Sequence, residues 1–348
     1  MDDESVLLVS GVGGYWGRKL AQRLLDVDGI KVIGIDRLAP SNEIPGLDFI
    51  LADSSNPLLA ELLHTESVSA VCHLDFTSVI EADEAVTRQN VSGLANVLGA
   101  CAEADVERIV VKSSTAVYGA RPDNSLFLSE ESPLRGSKNY GYSHDLLEIE
   151  ALCNGFRSQW QDIGLTVLRF ANIIGTAAQT PMSQFLSLRT PPILFGFDPI
   201  MQMVHEDDVV EALAHAMLNE SPGAFNVAAE DAMPLSRILR LARCAPIPII
   251  HPLAYRGMRM LAGTGLDPER YVPIEWDYLR YSLVTDLSGM VDELAFRPVY
   301  TAAEGLREFA GQQRIDGGDG GTRLAEDEQH LRDIIERRRR QRERRANV

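Results

Sequence analysis

Three glycines near the start of the chain have the spacing of a dinucleotide-binding turn. Gly11, Gly14 and Gly17 lie between an apolar run and a helix-like pattern. Glycines permit a tight turn and let backbone N–H groups approach a pyrophosphate at a helix N-terminus. Asp36 ends a second apolar run 19 residues after Gly17, where a carboxylate accepts hydrogen bonds from the adenosine ribose. The pattern predicts nucleotide binding; the alternative is that the glycines serve an ordinary turn.

The acidic residue also bears on which nucleotide is bound. The charge of Asp36 favours NAD over NADP, because a carboxylate repels the 2′-phosphate of NADP. Arg37, the next residue, weakens this preference. The prediction is that NAD is the cofactor.

The elements that must position these residues alternate along the first half of the chain. Strand-like runs are expected at Val6–Val9, Lys31–Ile35, Asp48–Leu51, Ala70–Leu74, Arg108–Lys112 and Thr166–Phe170. Helix-like stretches are expected at Trp16–Leu25, Leu58–His64, Glu81–Ala104 and Tyr140–Gln161. Such alternation indicates parallel strands with right-handed crossovers. The predicted fold class is α/β, with a Rossmann-type doubly wound parallel sheet over residues 1–175.

The second half of the chain predicts a smaller mixed substrate lobe, residues 176–312, interleaved with the sheet. Repeated prolines interrupt the pattern there, and the expected elements are a helix at Glu206–Asn219, a strand at Ala224–Ala228 and a helix at Leu235–Arg243.

Residues 313–348 predict a glycine linker and an arginine-rich, charged helical tail. The tail holds seven arginines and one glutamate between Arg337 and Arg345. It either binds RNA or another anionic surface, or folds back on the acidic body. A single short basic run is weak evidence for an anionic partner, so folding back on the acidic body is the favoured interpretation.

Composition limits the function classes. The chain has 348 residues, of which 45% are hydrophobic and 24% charged, and these are the values of a soluble globular protein. A net charge of −17 disfavours a general nucleic-acid binder, because phosphate would be repelled. No apolar stretch is long enough to span a membrane.

The cysteines and the N-terminus indicate a cellular location. The four cysteines form no Cys-x-x-Cys pair, and Cys72 and Cys101 lie in apolar runs that predict buried thiols. That pattern suits a reducing compartment. The first four residues, Met-Asp-Asp-Glu, do not begin a signal peptide. A cytoplasmic protein is expected.

Several further segments, in order along the chain, carry a family resemblance. They are SSTAVYG at 113–119, YGYS at 140–143, LRFANIIG at 168–175, VHEDDV at 204–209, FNV at 225–227, and Asn90. With the glycine turn, these resemble the extended short-chain dehydrogenase/reductase family, the group of NAD-dependent sugar epimerases and dehydratases. The similarity runs from about Val6 to Phe309.

The resemblance implies a catalytic set in which one member is altered. In that family a tyrosine is the general base, a serine holds the substrate oxygen, and a lysine four residues after the tyrosine lowers its pKa. By position, Tyr140 matches the tyrosine and Ser114 the serine, but position 144 is His144. His144 either replaces the lysine with partial charge at neutral pH, or marks lost catalysis with retained binding, or has no role. Residues four apart on a helix lie on the same face, so His144 is expected to face Tyr140. The alternative in which His144 has no role is therefore the weakest.

The resemblance also implies the cofactor contacts. By position these are Gly11, Gly14, Tyr15, Trp16, Gly17, Asp36, Arg37, Asp53, Ser54, Leu74, Asp75, Asn90, Tyr140 and His144. Asp75 stands where the family has a small residue, so its carboxylate is expected near the pyrophosphate or nicotinamide. The alternative is a turn-capping aspartate that points to solvent.

The substrate side departs from the family as well. Met201 takes the place of an arginine that grips a substrate diphosphate, so a bidentate phosphate contact is lost. A more apolar pocket, helped by Phe195, Phe197 and Met203, would suit a less polar alcohol or a lipid-linked sugar, although core packing is the commoner role of such residues. His73 and His205 have no partners at ligand spacing, so no metal is expected.

Two hypotheses follow. The first is an NAD-dependent oxidoreductase, epimerase or dehydratase acting on a secondary alcohol or sugar-type small molecule by hydride transfer. The second is a catalytically impaired dinucleotide-binding protein with a scaffold or sensing role. The retained Ser114 and Tyr140 favour the first. The resemblance also implies a homodimer through the helices at Glu81–Ala104 and Tyr140–Gln161.

Overall fold

A computed structural model of the chain describes residues 5–77, 83–137, 141–188, 190–250, 273–316, 334–335 and 337–338. The chain divides into two compact units. Unit 1 contains Met1–Ala171, Val209–Val227 and Thr285–Phe296. Unit 2 contains Asn172–Asp208, Ala228–Val284 and Arg297–Val348.

Unit 1 is built on a seven-stranded sheet. Its strands are β1 (Ser5–Ser10), β2 (Ile30–Asp36), β3 (Asp48–Leu51), β4 (Val68–His73), β5 (Arg108–Ser114), β6 (Gly164–Phe170) and β11 (Gly223–Val227). The order across the sheet is β11-β6-β5-β4-β1-β2-β3, and every neighbouring pair is parallel. The central strands are nearly continuous apolar runs, as expected for a parallel sheet covered on both faces. The predicted α/β, Rossmann-type sheet is confirmed.

The helices of unit 1 connect these strands. They are α1 (Tyr15–Leu25), α2 (Leu59–Thr65), α3 (Glu84–Glu103), α4 (Gly141–Gln159), α6 (Glu206–Leu218, which begins in unit 2) and α8 (Ser288–Asp292). Side chains from α2, α3 and α4 share one buried core with the sheet, including Leu63, Leu94 and Ile149. The predicted helix starts at Glu81 and Tyr140 lie outside the described residues.

The start of α3 shows why the sequence pattern overestimated its length. Asp83 is extended and caps the helix, with its side chain accepting from the N–H groups of Ala85 and Val86. An aspartate at this position satisfies N–H groups that have no partner within the helix. The capping signal was present in the sequence and fixes the boundary better than apolar periodicity does.

Unit 2 contains short strands and helices that the sequence pattern mostly did not predict. Its strands are β7 (Asn172–Ile174), β8 (Pro192–Leu194), β9 (Ile200–Met201), β10 (Met203–His205), β12 (Met233–Pro234) and β13 (Ile247–Ile249). They pair as β10-β7 and β13-β8, both parallel, and as the antiparallel β12-β9. The helices α5 (Pro181–Ser187), α7 (Leu235–Leu241) and α9 (Ala302–Asp316) complete the unit. Because α9 ends at Asp316, residues 313–316 are helical and are not linker.

Residues of the tail contact the body of unit 2. Arg337 is buried, and its Nη1 donates to Oε2 of Glu308 at 3.1 Å. Its guanidinium lies 5.1 Å from the ring centre of Tyr300. That ring stacks on His205 with centres 3.8 Å apart, and Nε2 of His205 lies 3.4 Å from Oε2 of Glu308. Within the described residues, the tail therefore contributes a cation to a buried acidic and aromatic cluster.

The acidic start of α6 does more than face the helix dipole. Glu206 is buried, and its carboxylate accepts from the N–H groups of Thr176, Ala177 and Ala178. Asp208 accepts from two further backbone N–H groups at 2.7 and 3.0 Å. Burial raises the pKa of Asp208 to about 6 against the opposing effect of those two hydrogen bonds. These carboxylates hold neighbouring loops of unit 2 in place.

Two further predictions concern the cysteines and membrane-spanning helices. Cys72 and Cys101 are buried, as predicted, and burial raises the pKa of both thiols. None of the helices in the described ranges is both long and apolar enough to cross a membrane.

Candidate cofactor and active site

The glycine turn after β1 has a backbone that only glycine accommodates. Gly11 has a φ of +77°, and an added Cβ there would lie 2.8 Å from the backbone N of Asp75. An added Cβ at Gly17 would overlap the carbonyl oxygen of Gly11. The N–H of Gly14 donates to that same oxygen at 3.0 Å. The turn is thus packed against its neighbours with no room for side chains.

The N-terminus of α1 follows directly from this turn. Gly14 is the N-cap residue and has no side chain to cap the helix, and the first turn holds no acidic residue. Gly13 and Gly14 are exposed. Backbone N–H groups and the helix dipole make such an end favourable for a phosphate.

Asp36 lies beside this helix end. Its Oδ2 accepts from the N–H of Gly13 and its Oδ1 from the N–H of Leu38, both at 2.9 Å. The two bonds fix the carboxylate at the carboxyl end of β2, and its remaining lone pairs can accept from hydroxyl groups. The glycine backbone and the placed carboxylate fit a dinucleotide that carries an unmodified adenosine ribose.

Three charged side chains and a serine lie together at the ends of β2, β3 and β4. We call these residues the Arg37 cluster: Arg37, Asp53, Ser54 and Asp75. Nε of Arg37 is 3.6 Å from Oδ2 of Asp53, and its Nη2 is 3.5 Å from Oδ1 of Asp75. The hydroxyl of Ser54 donates to Oδ2 of Asp75 at 2.9 Å. The Asp75 side chain is only 13% exposed, so the interpretation of a solvent-pointing cap is wrong.

Asp53 is held by its own turn as well as by Arg37. Its Oδ1 accepts from the backbone N–H and the hydroxyl of Ser55. Those hydrogen bonds, and the positive charge of Arg37, lower the pKa of Asp53 against the smaller effect of burial. Asp53 therefore remains a carboxylate at neutral pH.

Asn90 connects α3 to the loop after β4 and to α4. Its side chain exchanges hydrogen bonds with the backbone of Thr77 and donates to Oδ2 of Asp145 at 3.0 Å. Thr87, one turn earlier on α3, donates to the other oxygen of Asp145. Asn90 is buried, and in the structure it positions these elements.

Ser114 ends β5 and is nearly buried. Its side-chain oxygen accepts from the N–H of Ala116 at 3.2 Å. The phenol of Tyr142, in the first turn of α4, also hydrogen-bonds with Ser114. Burial raises the pKa of Tyr142, and this bond opposes the shift. The sequence analysis did not assign Tyr142 a role, although it precedes His144 by two residues.

His144 lies in the same turn of α4. Its Nδ1 is 3.6 Å from Oδ1 of Asp145 and has no hydrogen-bond partner among the described residues. Tyr140, the predicted base, lies outside the described residues. The structure thus places Ser114, Tyr142 and His144 around the junction of β5 and α4.

A buried ion pair holds α4 against the sheet. Arg169 on β6 donates to both oxygens of Glu150 on α4, at 2.9 and 2.7 Å, and the two side chains are 3% and 1% exposed. Arg169 also donates to the Tyr118 hydroxyl at 2.8 Å. This bidentate contact fixes the helix that carries His144.

Two aromatic residues at the start of α1 have lysine neighbours. Nζ of Lys112, two residues before Ser114 on the same face of β5, lies 5.3 Å from the ring centre of Trp16. Desolvation lowers the pKa of Lys112 to about 8. Nζ of Lys19 lies 5.2 Å from the ring centre of Tyr15. Sequence reasoning did not predict the lysine beside Trp16.

The described residues contain no group of three or more potential metal ligands. The four residues predicted to favour an apolar substrate pocket lie in different surroundings in unit 2. Met201 and Met203 belong to its hydrophobic core, Phe197 packs against that core, and Phe195 is 70% exposed.

Residues 7–228 match the model of the NAD dependent epimerase/dehydratase family. The chain belongs to that family. The predicted resemblance, the NAD-dependent character and the enzyme class are therefore confirmed for the family as a whole.

Two relatives and one solved structure show how much of this epimerase/dehydratase family member is similar to other proteins. An uncharacterized protein of Mycobacterium tuberculosis is 32% identical over 319 residues, covering 87% of this chain and 83% of the relative. The UDP-glucose 4-epimerase of Azospirillum brasilense is 29% identical over 249 residues, which cover 61% of this chain and 68% of that epimerase. The crystal structure of UDP-glucuronic acid 4-epimerase from Bacillus cereus, with UDP-glucuronic acid and NAD, is 17% identical, with a TM-score of 0.68 over 89% of this chain and 99% of that one. The structural likeness supports the fold.

Proposed function

We propose that this family member transfers hydride between NAD and a secondary alcohol or sugar-type substrate, as an epimerase, dehydratase or dehydrogenase. The observation that carries the proposal is Ser114 at the end of β5, beside α4, on the same sheet whose β1 and β2 ends form the glycine cradle and hold Asp36. Bound NAD would supply the hydride acceptor. A serine hydroxyl at this position can orient a substrate oxygen.

The residues that would hold NAD divide by chemistry. The glycine turn and the N-terminus of α1 suit the pyrophosphate, because the helix dipole attracts anions and the first turn of α1 holds no acidic residue. Asp36 suits the adenosine ribose. His144, four residues after Tyr140 in the sequence, would bind the ribose nearer the reaction.

The proton chemistry would depend on Tyr140. Tyr140 would take the proton from the substrate hydroxyl while Ser114 holds the oxygen. A tyrosine ionises near pH 10, so a nearby positive charge is needed to lower its pKa. His144 can supply that charge when its imidazole is protonated. Its Nδ1 lies 3.6 Å from Oδ1 of Asp145.

The substrate class follows from the relatives and from position 201. The A. brasilense relative is named for UDP-glucose, so a sugar nucleotide is one candidate. Met201 is buried in a hydrophobic core, where it cannot form the charge-assisted phosphate contact of an arginine. This difference favours a less polar alcohol or a lipid-linked sugar over a nucleotide sugar.

The replacement of lysine by His144 supports a second candidate function, in which the chain binds the dinucleotide without turnover. Weaker activation of Tyr140 is the physical reason. The two candidates share the cofactor site and differ only at the β5–α4 junction.

The first experiment is calorimetric titration of the full chain with NAD and with NADP, followed by a hydride-transfer assay. The assay panel contains UDP-sugars and apolar secondary alcohols. NADH formation reports a dehydrogenase, and chromatographic analysis of the product reports an epimerase or dehydratase, in which the hydride returns to the product and no NADH accumulates. Tyr140→Phe is expected to lower turnover by about 10²–10⁴-fold, a much larger change than in the Kd for NAD. Tyr142→Phe removes the phenol that hydrogen-bonds with Ser114 and is expected to lower turnover less than Tyr140→Phe does.

Each result decides between the candidates. Tight NAD binding with turnover that needs Tyr140 supports the enzyme. Tight binding without turnover of any panel member supports the binding protein, and loss of turnover only in Tyr142→Phe would move the base to Tyr142.

The expected homodimer also stays a proposal, with α3 and α4 as the contact helices. Sedimentation velocity of the full chain at several concentrations measures it directly.

A further inference from the structure

Arg37 is the cation best placed to bind a 2′-phosphate. It follows Asp36 at the end of β2, and an arginine at this end of the fold accommodates the 2′-phosphate of NADP. The sequence alone therefore leaves cofactor choice divided between Asp36, which favours NAD, and Arg37, which favours NADP.

In the structure two carboxylates already occupy the Arg37 guanidinium. Asp53 faces Nε at 3.6 Å and Asp75 faces Nη2 at 3.5 Å, so the two acids meet different edges of the same planar group. Binding a phosphate through this fork would require breaking both contacts.

The two carboxylates are themselves held in place. Ser54 donates its hydroxyl to Asp75 at 2.9 Å, and Ser55 fixes Asp53 through two hydrogen bonds. The backbone oxygen of Ser54 accepts from Asn96 of α3 at 2.8 Å. Both acids are therefore fixed where they face Arg37, and the amide oxygen of Gln89 on α3 accepts from Nη1 and Nη2 of the same guanidinium.

We propose that Asp75, together with Asp53, is a specificity-determining residue that excludes NADP by occupying Arg37. The Arg37 cluster carries three ionisable side chains, two acidic and one basic, so a 2′-phosphate meets net negative charge even beside an arginine. This inference rests on the proposed dinucleotide site. It explains why an acidic residue can stand at position 75 beside a phosphate-binding turn, because Arg37 offsets its charge.

The test separates Asp36 from Asp75. Calorimetry measures the Kd of 5′-AMP, adenosine 2′,5′-bisphosphate, NAD and NADP for the full chain and three variants: Asp36→Asn, Asp36→Asn with Asp75→Asn, and that double variant with Arg37→Ala. Asp36→Asn alone is expected to change the bisphosphate Kd by less than about threefold, because Arg37 stays occupied. Adding Asp75→Asn is expected to tighten it by about a further tenfold.

The Arg37→Ala variant shows whether the gain belongs to the arginine. The gain is expected to disappear in the triple variant, whereas the Kd of 5′-AMP should change little throughout. Asp48→Asn, which removes a carboxylate paired with Lys31 elsewhere in the sheet, is the matched control for net charge.

Three results would overturn the inference: an equal gain from Asp48→Asn, a gain that survives Arg37→Ala, or no gain in the double variant. If Asp75→Asn fails to fold, Asp53→Asn replaces it, since Asp53 is 43% exposed and contacts the other edge of Arg37. Failure of wild-type protein to bind either NAD or 5′-AMP would contradict the proposed function instead.

Discussion

The adenosine end and the catalytic end of the unit 1 sheet are built differently. At the adenosine end, the glycine backbone and paired charges define the site: Asp36 accepts two N–H groups, and Arg37 lies between two carboxylates. At the proposed catalytic end, the proposed chemistry depends on the identity of a few side chains, and His144 stands where the family resemblance implies a lysine. A site made from backbone geometry tolerates few substitutions, whereas a site that depends on one ionisable side chain can lose its chemistry and keep its shape.

The largest effect is expected from breaking the ion pair that holds α4. Arg169→Met leaves Glu150 buried without its cation, so the free energy of unfolding should fall by about 3–5 kcal/mol. Urea denaturation measures the change. Arg88→Met is the control, because the Glu84–Arg88 pair is 90% and 73% exposed and is worth less than about 0.5 kcal/mol. Equal losses in the two variants would show that α4 does not depend on this pair.

The next effect tests the backbone site at the adenosine end. Gly17→Ala forces a Cβ against the Gly11 carbonyl, so the turn must shift, and the affinity for NAD should fall by about 100-fold. Gly99→Ala on α3 is the control, since an added Cβ there meets no atom within 4 Å. Calorimetry with NAD gives both values, and an unchanged Kd for Gly17→Ala would refute the tight-turn argument.

The third effect tests the catalytic end alone. His144→Lys places a permanent cation four residues after Tyr140 in the sequence, so turnover should rise by about tenfold while the Kd for NAD stays within about twofold. His144→Gln, which keeps hydrogen bonding without charge, should lower turnover. A rise in both variants, or in neither, would remove the proposed electrostatic role of position 144.

The smallest effect concerns Lys112, on the same face of β5 as Ser114. Its folded pKa of about 8 lies below the ordinary value near 10.4, so its ammonium destabilises the fold below about pH 8. This contribution alone makes stability rise between about pH 8 and 10.4, and comparison with Lys112→Met separates it from the buried thiols, whose raised pKa values act in the opposite direction. The depressed pKa corresponds to about 3 kcal/mol, and loss of the contact with the Trp16 ring offsets about 2 kcal/mol, so Lys112→Met should be more stable by about 1 kcal/mol at pH 7. The electrostatic part of this difference should vanish near pH 10. Urea denaturation at both pH values is the measurement; a gain independent of pH would assign the effect to packing.

The sequence predicted unit 1 well because its elements are local and periodic. The first six strands of the sheet and their order of appearance follow from apolar runs, and the glycine turn was found by spacing alone. The predicted helix starts at Trp16, Leu58, Glu206 and Leu235 agree with the structure to within one residue. At α3 the apolar pattern did not separate the cap Asp83 from the helix itself.

Unit 2 and the side-chain network were harder to predict for physical reasons. Strands of two or three residues, such as β9 and β12, are fixed by pairing between distant segments and leave no periodic signal. The contact between Arg37 and Asp75 joins the ends of two strands that are not neighbours along the chain. Only the parallel register of the sheet brings those ends together.

The contact of Arg337 with Tyr300 and Glu308 affects how the protein should be prepared. Shortening the chain before residue 337, to remove a basic segment that resembles a dispensable appendage, would expose a carboxylate and an aromatic ring and deprive Glu308 of its arginine. A shortened chain that precipitates would therefore say nothing about the nucleotide site.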